Sequence, residues 1–325
     1  MKNSSIFLAA CFSLVAAVAV ACQVPVFRYA LERWAPDRYE IVVIHNGELS
    51  GGDKTSADAL TNLSGKLSSQ SNFTTRFVRV DTDNDPLLKQ LGVTKNSVQQ
   101  PMMAVLFPQN AQEVPNRLVS LSPMTANTVK QLTDSPVRRE IAKRLISGQS
   151  AVWIFVPIGD AAQDEAALEI LQTEVQRNQE SLQLPEQEEA EGEDALLAEV
   201  DIELRLEFSI VTLRRDDPEE AFLLKMLMAS ESDLADLKQP MAFPVLGRGR
   251  VLYALIGKGI AEDTVGIASR FIIGPCSCQV KNQNPGFDLL MTCDWDDKIG
   301  TAKLSDEIPE ERTKPKLLAI PPGRK

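Results

Sequence analysis

The chain has 325 residues, of which 44% are hydrophobic and 24% are charged, a balance typical of a globular protein and not of a disordered one. The formal net charge is -11 at pH 7. Because nucleic acid and anionic membrane surfaces attract clustered lysine and arginine, this charge argues against both as partners. The length is enough for two domains of about 100 to 200 residues each.

The first 21 residues have the pattern of an export signal. Lys2 gives a positive start, Ile6 to Ala21 is almost wholly apolar, and Ala19-Val20-Ala21 has the small-x-small pattern that leader peptidases recognise. The apolar run is shorter than the ~20 residues that a membrane-spanning helix needs, so we predict cleavage and no integral membrane span. The mature chain is then expected in the periplasm or cell envelope.

The first half of the remaining chain predicts a short amphipathic helix and then the element order βαβαββα. The segments, in chain order, are the helix CQVPVFRYALERWAPDRY, the strand YEIVVIHNGEL, the helix TSADALTNLSGKLSS, the strand FTTRFVRVD, the short helix NDPLLKQLGV, the strands PMMAVLFP and NRLVSLSP, and one or two helices in TANTVKQLTDSPVRREIAKRLISG.

The second half predicts the same order again. Its long helix begins after Asp160, a plausible N-cap, and its β-hairpin turns at Gly247-Arg248-Gly249. The segments are the strand SAVWIFVPIG, the helix DAAQDEAALEILQTEVQRNQESLQL, the strand LRLEFSIVTLRR, the helix DPEEAFLLKMLMA, the hairpin MAFPVLGRGRVLYALIG and the helix AEDTVGIASRFIIG.

Short motifs recur at matching places in the two halves. Asp85-Pro86 opens the short helix of the first half, and Asp217-Pro218 opens the corresponding helix of the second. Gln100-Pro101-Met102 enters the next strand in the first half, and Gln239-Pro240-Met241 does so in the second. A tandem duplication is the simplest explanation.

The stretch FVRVDTDNDPLLKQLGV, followed by QQPMMAVLFP, resembles the thioredoxin family in its strand, aspartate-bearing loop, short helix and proline-led strand. The resemblance covers most of Tyr39 to Gly148 and, more loosely, Ala151 to Gly274. It implies an α/β fold class with two tandem thioredoxin-like domains and central mixed sheets. The family's proline is typically cis, and the resemblance implies that Pro101 and Pro240 each shape a groove for an extended peptide.

The family's redox Cys-x-x-Cys is missing from both halves. Its position after the first long strand reads HNGELSGGDKTSAD in the first half and PIGDAAQDEA in the second, and neither contains cysteine. A helix start that lowers a thiol pKa has no thiol to act on there. A disulfide oxidoreductase of the usual design is therefore excluded at these two positions.

The opening CQVPVFRYALERW also resembles the start of a group of uncharacterised secreted proteins of planctomycete-type bacteria, which implies a compartment and no activity. We divide the chain into a signal peptide (1–21), a first thioredoxin-like domain with the N-terminal helix (22–148), a second domain (149–297) and a disordered tail (298–325). The second domain contains an acidic insertion (185–203), which lacks the spacing of a calcium loop and is interpreted as solvated, and a Cys-rich C-terminal segment.

The cysteines are the main candidates for covalent or metal chemistry. Cys276, Cys278 and Cys293 fall in the segment GPCSCQVKNQNPGFDLLMTCDWDD, whose spacing is not that of a zinc ribbon. A structural disulfide clip is the favoured interpretation in an oxidising compartment, and a redox pair or a Cu(I) site are the alternatives. Cys22 is either a further disulfide partner, joining the chain ends, or a lipid attachment site.

The remaining candidate residues are interpreted as structural. His45 follows the first strand, where open α/β folds place ligands, but a single histidine builds neither a hydrolase triad nor a His-rich zinc site. Four glycines match no phosphate-loop spacing and are predicted to be turns: Gly247, Gly249, Gly257 and Gly259.

These observations predict an exported, non-catalytic binding or scaffolding module with no cofactor and no metal. Its expected partner is a protein or an extended peptide. The alternative is a thiol-disulfide or copper-handling protein that acts through Cys276, Cys278 and Cys293.

Overall fold

The computed structural model describes residues 24–64, 71–111, 114–185, 202–203, 205–275 and 281–299. The first half begins with a short helix and continues as a βαβαββαα unit. Its elements are α1 (Val26–Arg33), β1 (Tyr39–His45), α2 (Gly51–Leu63), β2 (Phe73–Arg79), α3 (Pro86–Gln90), β3 (Met102–Leu106), β4 (Leu118–Pro123), α4 (Ala126–Thr133) and α5 (Pro136–Ile146).

The second half repeats this order with a divided fourth strand and adds a C-terminal strand and helix. Its elements are β5 (Gln149–Val156), α6 (Ala161–Ser181), β6 (Arg205–Thr212), α7 (Ala221–Met228), β7 (Met241–Leu246), β8 (Arg250–Val251), β9 (Leu255–Ile256), α8 (Glu262–Ile273), β10 (Phe287–Asp288) and α9 (Trp295–Ile299). The last helix extends two residues past the predicted domain end at Asp297.

Each half contains one mixed sheet. The first has the order β2-β1-β3-β4, in which β1 and β2 are parallel and the other neighbours are antiparallel. The second has the order β10-β8-β7-β5-β6, with β9 also on β7 and with β5 and β6 parallel. The predicted α/β class with two mixed sheets is confirmed. In the described ranges, no helix combines the length and the apolar character that crossing a membrane requires.

The helix starts follow from aspartate side chains that cap them, as predicted. The Asp85 carboxylate accepts the N–H of Leu87 at 2.8 Å at the start of α3, and the Asp217 carboxylate accepts the N–H of Glu219 at 2.9 Å in the short 3-10 helix Pro218–Glu220 that leads into α7. Proline follows each aspartate and fits there because the first residue of a helix has no intrahelical use for its N–H. Asp160 caps α6 in the same way.

Alternate residues of β1 and β5 point into one shared apolar core, because side chains of a strand alternate between its two faces. Helices α4, α5 and α7 add fully buried side chains to it. Its members include Ile41 and Val43 of β1, Val152 and Ile154 of β5, Leu132 of α4, Ile141 of α5 and Leu223 of α7. Apolar packing therefore joins the two halves, in addition to the peptide chain.

Helix α1 packs on the second half, although we grouped it with the first. Phe27 and Ala30 are buried in a separate apolar cluster with Trp153 of β5 and Ile272 of α8. The N–H of Val26 donates to the carbonyl of Gly274 at 3.0 Å. The N-terminal helix thus covers the outer face of the second sheet.

The C-terminal strap, residues 287–291, is buried where the halves meet. Polar side chains of the first half bind its backbone: the Tyr39 hydroxyl donates to the Asp288 carbonyl at 2.6 Å, and Asn72 Nδ2 donates to the Leu289 carbonyl at 2.9 Å. Arg138 Nη1 donates to the Leu290 carbonyl at 2.6 Å. These bonds satisfy backbone groups that burial has removed from water.

Asp288 of the strap belongs to a buried group of charged side chains. Asp288 is 3% exposed and lies 2.5 Å from Lys281 Nζ and 3.3 Å from Arg250 Nη1, and it accepts the N–H of Asp37 at 2.6 Å. Burial alone would raise the pKa of Asp288, but the two cations and the hydrogen bonds outweigh it, so this pKa lies below its ordinary value.

Replacing Arg138 tests how much the strap depends on that side chain. Arg138→Met keeps most of the volume but leaves the carbonyls of Gln131, Leu132 and Leu290 without their donor. We expect the free energy of unfolding, measured in urea, to fall by about 3 kcal/mol or more. The control Arg139→Met changes a side chain that is 59% exposed, and an equal loss there would contradict the prediction.

Replacing Asp288 tests whether its ion pairs make the free energy of unfolding depend on pH. Because the pKa of Asp288 is lower in the folded state, its stabilisation is complete above the unfolded value of about 3.9 and is lost as pH falls through the folded value. The difference in unfolding free energy between wild type and Asp288→Asn should therefore be largest above about pH 5 and shrink in acid. A difference that does not vary with pH would contradict this.

Candidate ligand-binding cleft

A concave surface lies at the C-terminal end of β1, where the β1–α2 loop faces the segment that leads into β3. The cleft has a volume of about 360 Å³. It is lined by Asn46, Glu48, Leu49, Asp53, Lys95, Asn96, Val98, Gln99, Gln100 and Pro101. Pro101, beside which the resemblance implied a peptide groove, is among these residues, and its binding role stays a prediction.

The lining of this cleft is mainly polar. Its four carboxamides belong to Asn46, Asn96, Gln99 and Gln100, and each can donate and accept hydrogen bonds at once. Val98 is buried and adds an apolar side chain to the lining. The arrangement suits a ligand with alternating donors and acceptors better than a large apolar side chain.

His45 shapes the loop on one side of the cleft. It is 6% exposed, and its Nδ1–H donates to the carbonyl of Gly47 at 2.7 Å. The carbonyl can only accept, so Nδ1 carries the proton in this contact. Gly47 has φ +72°, a left-handed conformation that favours glycine. The imidazole also packs edge-on against Phe77, so its role here is to hold the turn after β1.

Charged residues tie the same loop to the end of β2. Arg79 pairs with Asp81 at 2.9 Å and with Glu48 at 2.9 Å. The hydrogen bond from Arg79 holds the pKa of the Asp81 carboxyl below its ordinary value. Glu48 is therefore oriented by Arg79 although it is 86% exposed.

The two motif prolines have different surroundings. Pro101 is half-buried and lines the cleft, whereas Pro240 is buried and its carbonyl accepts the N–H of Gly257 at 2.8 Å. Neither follows a cis peptide bond, so the cis geometry that the resemblance implied is not found in the described residues. Pro101 therefore borders an open surface, whereas the environment of Pro240 is the interior of the second half.

Of the four candidate cysteines, the structure describes Cys293. Cys22, Cys276 and Cys278 lie outside the described residues, so the disulfide clip, the lipid site and the Cu(I) site stay predictions. Cys293 is half-buried and carries a free thiol. Desolvation, with a smaller contribution from Asp294, raises its pKa to about 11. Within the described ranges, no group of three metal-binding side chains occurs.

The remaining sequence candidates have structural positions. Gly247 and Gly249 have φ +59° and +99° at the β7–β8 turn, as predicted. Between them Arg248 is buried, with Nε on the Leu31 carbonyl at 2.7 Å and Nη1 on Asp296 at 2.8 Å. The basic residue thus joins α1 to α9. Most of the acidic insertion and of the predicted tail lies outside the described residues.

Sequence reasoning missed the carboxamides of the cleft. Asn96, Gln99 and Gln100 stand in a loop whose composition is ordinary, and only folding brings them opposite Asn46. The one available signal was the proximity of Gln99 and Gln100 to Pro101. It indicated the position of the cleft but not the carboxamides that line it.

The raised pKa of Cys293 predicts that its thiol is alkylated slowly. At pH 7.5 we expect iodoacetamide to label Cys293 in the folded protein on the order of a hundredfold more slowly than in guanidinium, because the thiolate is the reactive form. Labelling should accelerate as pH rises towards 11. Mass spectrometry of the Cys293 peptide measures both rates, and equal rates in the folded and unfolded states would contradict the prediction.

Comparisons with known proteins assign no role to this cleft. No model of a protein family matches the chain, and no curated protein matches it.

Proposed function

We propose that this protein is an exported, non-catalytic binding module that holds an extended polypeptide segment in the cleft beside Pro101. The observation that carries the proposal is the set of four carboxamides around one open cleft at the end of β1. A polypeptide backbone offers one donor and one acceptor per residue, and carboxamides complement both.

The charges around the cleft refine the ligand class. Glu48 and Asp53 belong to the β1–α2 side, and Lys95 belongs to the opposite segment. A segment that carries a basic residue towards the carboxylates and an acidic one towards Lys95 would be favoured over its reverse. This mixed pattern fits a peptide better than a uniformly charged polymer.

The position of the cleft supports a binding role. Open α/β sheets place ligands beyond the carboxyl ends of their strands, and β1 ends at this surface. The element order βαβαββα around a mixed sheet, present in both halves, supports the thioredoxin-like interpretation, in which a proline-led strand borders the binding groove. The apolar run before Cys22 supports export.

Selection from a displayed library of random linear peptides, followed by calorimetry, tests the proposal. We expect micromolar binding of selected peptides to the wild-type protein. The double variant Asn96→Ala, Gln100→Ala should weaken peptide binding about tenfold or more, because it removes two carboxamides that would form hydrogen bonds with the peptide backbone. Thermal unfolding of the variant should be unchanged, since both side chains are exposed.

The matched control is Gln172→Ala, which removes an exposed carboxamide of α6 far along the chain from the cleft. It should leave the affinity unchanged. Failure to select any peptide, or selected peptides whose binding the cleft variant does not affect, would overturn the proposal.

A further inference from the structure

Another cavity lies beside the end of the C-terminal strap. It has a volume of about 250 Å³ and shares no lining residue with the cleft beside Pro101. Pockets for drug-sized ligands have about 300 to 1,000 Å³, so this cavity suits a smaller molecule. The residues that decide its chemistry come from α2, the α4–α5 connection, α5 and the end of the strap: Leu63, Asp134, Arg138, Arg139, Met291 and Thr292.

Arg138 is a buried cation in the lining of this cavity, and one of its donors is unused. The side chain is 4% exposed, and its two terminal nitrogens donate to three backbone carbonyls. In the part of the chain that the structure describes, Nε of Arg138 has no hydrogen-bond partner. A guanidinium has donors and no acceptor, so this N–H can be satisfied only by an acceptor.

Thr292 brings a second unpaired polar atom to the same cavity. Its Oγ1 is buried and likewise has no hydrogen-bond partner among the described residues. Buried polar atoms of native proteins are nearly always hydrogen-bonded, so two unpaired ones on residues that line a single cavity indicate a ligand group that bonds to both. A carboxylate fits, because its two oxygens accept hydrogen bonds and an ionised acceptor bonds most strongly.

The charges of the lining favour an anion. Arg138 and Arg139 are cations, and the carboxylate of Asp134, which pairs with Arg139, is the one acidic group among the lining residues that the structure describes. One positive charge is thus left in excess, although the whole chain has a net charge of -11. Burial lowers the pKa of Arg138 to about 10, and the charge of Glu220 only partly offsets this effect.

The rest of the ligand meets apolar side chains. Leu63, at the end of α2, and Met291, which is 2% exposed, both line the cavity. We propose that this cavity binds a small carboxylic acid with an apolar body, whose carboxylate accepts hydrogen bonds from Arg138 Nε and Thr292 Oγ1. The apolar body lies against Leu63 and Met291, where it is removed from water.

Isothermal titration calorimetry of the full-length protein with benzoate tests the proposal, and benzamide is the neutral probe of the same shape. We expect a Kd of about 1 mM or tighter for benzoate. Benzamide should bind at least about tenfold more weakly, because it has the same ring without the charge that the excess cation attracts.

Variants of the exposed pair of charges should shift the affinity for benzoate in opposite directions. Asp134→Asn removes the competing carboxylate and should tighten binding about threefold or more, whereas Arg139→Met should weaken it by a similar factor. Thr292→Val removes the hydroxyl and should weaken binding about fivefold. The matched control is Arg214→Met, since Arg214 is 69% exposed and pairs with Asp216 away from the cavity; it should change nothing.

Four outcomes would overturn the proposal: no binding of benzoate, equal binding of benzamide, weaker binding by Asp134→Asn, or no effect of Thr292→Val. A tripeptide that ends in phenylalanine distinguishes a free acid from the C-terminus of a polypeptide. We expect it to bind no more tightly than benzoate, and tighter binding would also overturn the proposal. None of these results depends on the carboxamides beside Pro101, so this test and the peptide-binding test can fail separately.

Discussion

The burial of the C-terminal strap is the constraint on which the rest of the structure depends. A stretch of backbone that is buried where two halves meet must find partners for its N–H and C=O groups, and here both halves provide them. Asn72 and Arg138 of the first half bind the strap, and the N–H of Leu289 donates to the carbonyl of Gly249 in the second. The strap can be buried only when both halves are folded, so its position couples them.

The cleft lies at the edge of this shared framework. β1 contributes Ile41 and Val43 to the common core and ends at His45, whose hydrogen bond to Gly47 holds the loop that borders the cleft. A ligand would therefore meet a loop that begins at the end of a strand fixed by the core. Such preorganisation reduces the entropy that binding would otherwise lose.

Local sequence patterns predicted the elements well. The Asp-Pro helix starts, the hairpin at Gly247 to Gly249 and the α/β class all depend on neighbouring residues, and all are found. Contacts between distant residues could not be predicted in this way. Arg138 and Leu290 are 152 positions apart, and nothing near Arg138 in sequence indicates that it is buried. The docking of α1 on the second sheet and the carboxamides of the cleft were missed for the same reason.

The docking of α1 has a consequence for the order of folding. Phe27 of this helix is synthesised before both sheets, yet the surface that covers it includes Ile272 of α8, which follows the strands β5 to β9 in the chain. Long-range contacts of this kind form late because much chain must be ordered before they close. Helix α1 therefore cannot dock fully on the second sheet until α8 has been synthesised.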